Sequence, residues 1–293
     1  MRGSNETGYF HICTDGSRLP WMFRDTEDFI AGVNRIGICK FLIGIEVICF
    51  ILMDTHIHIV LYGNVVKCKE FINLFKRLTG IWIQQKYNIN EHLKDIPVEI
   101  IPISDEESLL NTIAYIDRNS IVGGYKFLAT EYPWGTAKLI FRDPSHTTHK
   151  EVRTLADLGS REQFATLKTR IKLPQDWKVD ERGMLDISSF VEISKVESIF
   201  RSPARYTYFL AKKLEGTIES QFRNARSAYQ PDKEIRQVTT RICREMFGHE
   251  DVKKLDTKSK LSIAKKLRYD YLSTLKQISR MVFLSEDMLK GFV

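Results

Sequence analysis

Residues 53–61 read Met53-Asp54-Thr55-His56-Ile57-His58-Ile59-Val60-Leu61, and two histidines flank one isoleucine inside this apolar run. Successive side chains of a β-strand alternate between its two faces, so His56 and His58 should share one face. The intervening positions should point into a core: Ile57, Ile59 and Leu61. Two imidazoles that face one spot form half of a metal site, although two partly exposed histidines on a solvated sheet would show the same pattern.

The segments around this strand predict a small α+β fold. Apolar alternation and turn residues predict strands at 8–13, 40–52, 56–61 and 98–103, and helical spacing predicts helices at 26–37, 64–85 and 105–119. This order is typical of a ferredoxin-like antiparallel sheet with two helices on one face. A mainly α-helical C-terminal region should follow, with helices at 203–214, 235–247, 257–271, 273–280 and 285–292. We therefore divide the chain into 1–142, a mixed connecting region at 143–234, and 235–293.

The helix at 105–119 carries the residues that complete a site. Ser104, followed by a glutamate three residues later, matches the capping-box pattern and places the start of the helix. Tyr115 and Asn119 lie one turn apart on the same flank, whereas Asp117 falls on the opposite side. A tyrosine at the edge of a buried stripe is also common as a packing residue. Beside two histidines, however, Tyr115 becomes a candidate nucleophile.

A phenol can attack phosphorus when a divalent cation polarises the phosphate. Because the pKa of tyrosine is about 10, a phenol is a weak nucleophile at neutral pH and this chemistry requires the metal. The Asn119 amide oxygen could join His56 and His58 as a ligand. Two nitrogens and one oxygen suit Mg²⁺ or Mn²⁺ less directly than carboxylates would, but oxygens of the scissile phosphate would complete the coordination sphere.

These residues resemble a known family. His56-Ile57-His58 resembles the histidine, hydrophobe, histidine (HUH) motif. The segment at 115–124 resembles the nucleophile helix of single-tyrosine HUH transposases, and it reads Tyr115-Ile116-Asp117-Arg118-Asn119-Ser120-Ile121-Val122-Gly123-Gly124. The most similar branch is the REP-associated tyrosine transposases. Further matching pieces lie in the family's order within about residues 8–135: Tyr9-Phe10-His11-Ile12, Leu19-Pro20-Trp21-Met22-Phe23 and Tyr132-Pro133-Trp134.

The resemblance implies an enzyme that binds single-stranded or hairpin DNA, cuts it through a 5′-phosphotyrosine intermediate and rejoins it with the freed 3′-OH. Carried over by position, Tyr115 is the nucleophile, His56 and His58 are metal ligands, and Asn119 is a third ligand for Mg²⁺ or Mn²⁺. The chain departs from the family pattern where Asp54-Thr55 replaces the common Pro-Asn, and at Asp15, where arginine is frequent. Both departures concern DNA contacts rather than the chemistry.

The positive charge is concentrated at the C-terminal end. The chain has a formal net charge of +7, and residues 235–293 hold thirteen Lys and Arg against seven acids, which is +6. Short helices around a turn at 283–285 suggest a helix-turn-helix unit and resemble the C-terminal DNA-binding helices of some members of the same branch. We expect phosphate contacts from Lys258, Lys260, Lys265, Lys266, Arg268 and Lys276. A helical bundle that only packs on the first domain is the alternative.

Composition limits the remaining possibilities. The five cysteines are odd in number and unclustered, which favours reduced core thiols in the cytoplasm. The N-terminus lacks the apolar segment of a signal peptide, and the longest apolar run, 43–53, is too short for a bilayer, so we expect no membrane partner. The pair His146 and His149 lies in a polar stretch and reads as surface. Two rival functions remain, a non-catalytic nucleic-acid-binding regulator and a metal-dependent phosphodiester hydrolase, and either a monomer or a homodimer could build the site.

Overall fold

The computed structural model describes residues 6–14, 22–88, 93–123, 125, 127–143, 153–212, 231–269, 271 and 273–290. Asp15, residues 19–21 and the pair His146 and His149 lie outside this part of the chain. The main sheet has four antiparallel strands: β1 (Gly8–Thr14), β2 (Glu46–Leu52), β3 (Ile57–Gly63) and β4 (Val98–Ile103). Their order across the sheet is β2-β3-β1-β4. This is the ferredoxin-like arrangement, and the predicted fold class is confirmed.

Helices cover both faces of this sheet. Helices α1 (Thr26–Ile43) and α2 (Val65–Tyr87) pack together on one face, over a core that includes Ile57, Ile59 and Leu61. Helix α3 (Glu106–Asp117) packs on the opposite face against Val60 of β3 and against Ile48, Cys49 and Ile51 of β2. The short turn α4 (Asn119–Val122) follows it. The face that carries α3 is the one on which the histidines of β1 and β3 lie.

The β2 strand is shorter than the apolar pattern predicts. Residues 40–43 continue α1 instead, and the helix ends at Gly44, whose φ of 61° lies in the left-handed region. A residue without a Cβ adopts this conformation at little cost, so Gly44 is a favourable C-cap. The strand therefore begins at Glu46 rather than at Lys40.

Residues 153–211 pack against both sides of the sheet layer. They comprise β5 (Arg153–Thr154), α5 (Ser160–Leu167), β6 (Lys178–Val179), α6 (Ile193–Phe200) and α7 (Pro203–Ala211). Trp177 and Phe190 join the core beneath α1, whereas Phe200 and Phe209 join the core around α3. This segment, whose residue pattern predicts no fold, thus helps to hold α3 in place.

The C-terminal helices enclose a core of their own. They are α8 (Asp232–Phe247), α9 (Thr257–Tyr269), α10 (Leu275–Val282) and α11 (Glu286–Lys290). Ile235, Ile263, Ile278 and Leu289 are buried together between them. The predicted turn is present, because Phe283 ends α10 with a φ of 59°. Among the helices that the structure describes, none is long and apolar enough to cross a membrane.

Candidate functional site

The first part of the site lies at the start of β3. His58 is paired with Cys13 of β1 across the sheet, and only 7% of its side chain is exposed. His56 immediately precedes the strand, and its ring centroid lies 5.0 Å from that of His58. The two imidazoles are therefore adjacent, although one of them is held by the turn before β3 rather than by strand alternation.

Helix α3 brings Tyr115 to these rings. The Tyr115 ring centroid lies 5.4 Å from that of His58, and 36% of the residue is exposed. Leu109, Ile113 and Ile116 are buried on the other side of the helix, as the spacing predicts. The N-cap is Asp105 rather than Ser104, since the Asp105 carboxylate accepts a hydrogen bond from the Ser108 backbone N–H at 2.8 Å. A shift of one residue at the cap leaves the flank of Tyr115 unchanged.

Asn119 lies directly beyond the end of α3. The helix ends at Asp117, and Asn119 begins the short turn α4 instead of continuing α3. The Asn119 amide nitrogen donates to the Tyr115 backbone carbonyl at 2.7 Å, and 7% of the residue is exposed. This bond fixes Asn119 one turn beyond the tyrosine in spite of the helix break.

Burial controls the protonation of the two main groups. Burial lowers the pKa of His58 well below its usual value, and the charges of His56, His11 and Lys276 lower it further. The imidazole is therefore neutral at pH 7, which is the form that binds metals. Burial also raises the pKa of Tyr115, and Cys13 adds to this, whereas Asn119 and the charge of Arg118 oppose it. The phenol thus keeps its proton at neutral pH.

Two residues of β1 belong to the cluster but were not chosen from the sequence. The His11 Nε2 lies 3.2 Å from the His58 Nδ1, and the His11 ring centroid lies 6.2 Å from that of Tyr115. One donor atom each of His11, Cys13 and His58 lie within 4.8 Å of one another. Nitrogen and sulfur donors at this spacing fit a divalent metal. Period-two alternation puts both β1 residues on one face, but only the pairing of β1 with β3 places that face beside His58.

The turn before β3 holds His56 in position. Thr55, which is buried, lies with its hydroxyl oxygen 2.9 Å from the His56 Nδ1, so this nitrogen is engaged by the protein. The preceding Asp54 is also buried and accepts a hydrogen bond from the Tyr125 hydroxyl. Its backbone carbonyl accepts from the Phe23 N–H at 2.9 Å. Asp54-Thr55 therefore forms a buried turn that supports the first histidine.

Asp117 has a different environment, in agreement with the helical spacing. It is 1% exposed, and its carboxylate accepts from the Tyr206 hydroxyl at 2.8 Å and from the Thr136 hydroxyl at 3.4 Å. Burial raises the pKa of Asp117 to about 7, whereas these hydrogen bonds lower it. Asp117 thereby ties the end of α3 to α7.

The basic residues expected to contact phosphate lie on two C-terminal helices. Helix α9 carries five of them, and Lys258, Lys265 and Lys266 are exposed there. Lys260 is half-buried, and the Arg268 guanidinium donates to the Ser273 carbonyl at 3.1 Å. Lys276 is exposed on α10.

Comparisons with known proteins give one distant match to report. No family model and no curated protein matches the sequence. Among solved structures, the chain is similar to a REP-associated tyrosine transposase bound to a REP hairpin, with 12% identity and a TM-score of 0.34. The match covers 46% of this chain and 81% of that one. This is a distant structural relationship and does not by itself show the family.

Proposed function

We propose that the protein is a metal-dependent endonuclease and strand transferase of the transposase type, which cuts and rejoins single-stranded or hairpin DNA through Tyr115. One observation carries the proposal: the half-exposed Tyr115 ring lies 5.4 Å from the ring of the buried His58. Phosphoryl transfer to a phenol requires a metal beside the nucleophile, and neutral imidazoles at this position could hold one. The resemblance of segments 56–58 and 115–124 to the HUH family supports the same reading.

In the proposed reaction, the Tyr115 oxygen attacks a backbone phosphorus and the bond from phosphorus to the 3′ oxygen breaks. The phenol proton leaves to solvent on the exposed side of the ring, and the departing 3′ oxygen takes up a proton. The 5′-phosphate is then esterified to Tyr115, and attack by a 3′-OH reverses the step. One phosphodiester replaces another, so the strand can be rejoined without an external energy source.

A divalent metal, when bound, would polarise the phosphate and neutralise the developing charge. The sequence assigns Mg²⁺ or Mn²⁺ to His56, His58 and Asn119, and this ligand set is part of the proposal. Two features support it: the Thr55 contact orients the His56 ring, and burial keeps His58 neutral. Partners that hold a ligating histidine in one orientation commonly increase its affinity for the metal.

A covalent complex tests this function. We expect the 293-residue chain, incubated with a labelled single-stranded DNA hairpin and Mn²⁺, to yield an adduct that survives denaturation. EDTA should abolish the adduct, and addition of a DNA strand with a free 3′-OH should diminish it through rejoining. Cleavage without an adduct would instead favour the hydrolase, and binding without cleavage would favour the non-catalytic regulator.

The C-terminal helices are proposed to bind DNA phosphates and to form a unit of their own from about residue 235. The charge concentrated in residues 235–293 and the exposure of Lys258, Lys265 and Lys266 support this assignment. Phosphate contacts release counterions, so they make DNA binding sensitive to salt.

Replacing Lys258, Lys265 and Lys266 together with alanine should therefore weaken DNA binding and flatten its salt dependence. Three lost contacts should reduce the slope of log K against log salt by about 2 to 3. Fluorescence anisotropy with the same hairpin at several salt concentrations measures both effects. The matched control replaces three exposed lysines elsewhere, Lys69, Lys94 and Lys172. Equal salt-dependence slopes in the two triple variants would mean that the C-terminal helices do not contact DNA phosphates and only pack on the rest of the protein.

A further inference from the structure

A row of polar side chains crosses the sheet beside Tyr115. Glu99 of β4, Cys13 of β1 and His58 of β3 are paired neighbours on adjacent strands. His11 lies two residues before Cys13 and therefore points to the same face. All four residues thus lie on the side of the sheet that α3 covers.

The spacing of the donors matches a metal site. In tetrahedral coordination with metal–nitrogen bonds of about 2.0–2.1 Å, two nitrogen ligands lie about 3.3 Å apart. The His11 Nε2 and the His58 Nδ1 are 3.2 Å apart, and a donor atom of Cys13 lies within 4.8 Å of both rings' donors. An ordinary hydrogen bond between the two imidazoles also accounts for 3.2 Å. The Cys13 thiol, which strand pairing places beside them, supplies the third donor that a metal site needs.

The thiol can lose its proton when it binds a metal. The Cys13 Sγ donates to the Glu99 carboxylate at 3.8 Å, and Glu99 is exposed. Ligation forms the bond from metal to sulfur and breaks the S–H bond, and the proton passes by way of Glu99 to solvent.

We propose that His11, Cys13 and His58 form a metal site for a thiophilic divalent ion, of the Zn²⁺ or Co²⁺ class, at the edge of the nuclease centre. This site is an alternative to the ligand set His56, His58 and Asn119, because the neutral His58 imidazole has a single acceptor nitrogen and cannot hold both ions at once. A thiolate and two imidazoles favour these ions over Mg²⁺, which prefers oxygen ligands. The inference deepens the proposed function and rests on it for the role of the metal, whereas the ligation itself is measurable without DNA.

Cobalt absorption tests the ligation in the metal-free 293-residue chain. We expect Co²⁺ to produce a sulfur-to-cobalt charge-transfer band in the near ultraviolet, together with the intense visible bands of a tetrahedral site. Added Zn²⁺ should remove both, and a large excess of Mg²⁺ should not. Cys13→Ser should lose the charge-transfer band, and His11→Gln should weaken Co²⁺ binding on the order of 100-fold. Circular dichroism and thermal unfolding of the metal-free variants establish that they are folded.

The chain offers a matched control in Cys243→Ala. Cys243 also lies beside an imidazole, with its sulfur 3.9 Å from the His249 Nδ1, but in the core of the C-terminal helices. This variant should keep the band. A wild-type spectrum without the band, or a band that persists in Cys13→Ser, would overturn the inference. Adduct formation with Mn²⁺ is assayed in parallel, so a chain that forms the adduct without the band contradicts the metal site alone, and a band without an adduct contradicts the proposed function alone.

Discussion

Replacing Tyr115 with phenylalanine should abolish the covalent protein–DNA adduct and slow strand cleavage on the order of 10³-fold or more. The substitution removes one oxygen atom and keeps the ring, whose centroid lies 5.4 Å from that of His58. The packing of α3 should be preserved, because the hydroxyl is not part of the buried stripe at Leu109, Ile113 and Ile116. DNA affinity should therefore change little, and the loss should appear in the chemical step.

The measurement is a denaturing gel of the protein with labelled hairpin DNA and Mn²⁺, with fluorescence anisotropy as the readout for binding. Tyr208→Phe is the matched control. Tyr208 is 57% exposed on α7 and is not among the residues grouped around His56 and His58. It should form the adduct at the wild-type rate. An adduct that persists in Tyr115→Phe would show that another residue is the nucleophile, and undiminished cleavage without any adduct would show that water attacks.

Local patterns in the sequence were sufficient to predict on which face of β3 and of α3 each residue lies. Alternation through residues 57–61 placed Ile57, Ile59 and Leu61 in the core correctly, because the period of a strand is fixed by backbone geometry. Helical spacing likewise placed Tyr115 and Asp117 on different sides of α3. Both predictions depend on residues within one element, because the backbone geometry of a strand or a helix fixes the direction of each side chain.

Features that depend on contacts between elements were not predictable in this way. His11 and Cys13 are ordinary members of a strand until β1 pairs with β3, and that pairing joins residues 47 positions apart. The position of α3 opposite α1 and α2 also depends on residues 153–211, whose short elements gave no periodic signal. Patterns within β1 therefore could not place His11 and Cys13 beside His58.

The Asp117 carboxyl should make the free energy of unfolding of the wild-type protein depend on pH, and Asp117→Asn should remove that dependence. Burial raises the pKa of Asp117 from 3.8 to about 7, so the folded protein keeps this proton after the unfolded chain has lost it. Between about pH 4 and pH 7 the folded state binds more protons at this site, and its contribution to the free energy of unfolding falls as pH rises. The change is on the order of 4 kcal/mol across that range. Above pH 7 it is complete.

Asparagine has the same shape and no charge, and its oxygen can still accept the bond from the Tyr206 hydroxyl, which is 2.8 Å long in the wild type. Relative to the wild type, the variant should therefore gain stability steadily from pH 5 to about pH 7, and the difference should level off by pH 8. The difference between the two proteins is the quantity to measure, by urea unfolding, because His11 acts in the opposite direction. Burial lowers the pKa of His11 to about 4 in the folded protein. The contribution of His11 to the free energy of unfolding therefore rises with pH up to about 6.5.

A control variant separates this effect from a general response to the loss of one negative charge. Asp176 is exposed, and Asp176→Asn should give a stability difference that hardly varies with pH. A flat difference for Asp117→Asn as well would mean that the buried carboxyl is already ionised at pH 5. In that case Asp117 would hold α3 against α7 as a charge rather than as a neutral acid, and the hydrogen bond from Tyr206 would be correspondingly stronger.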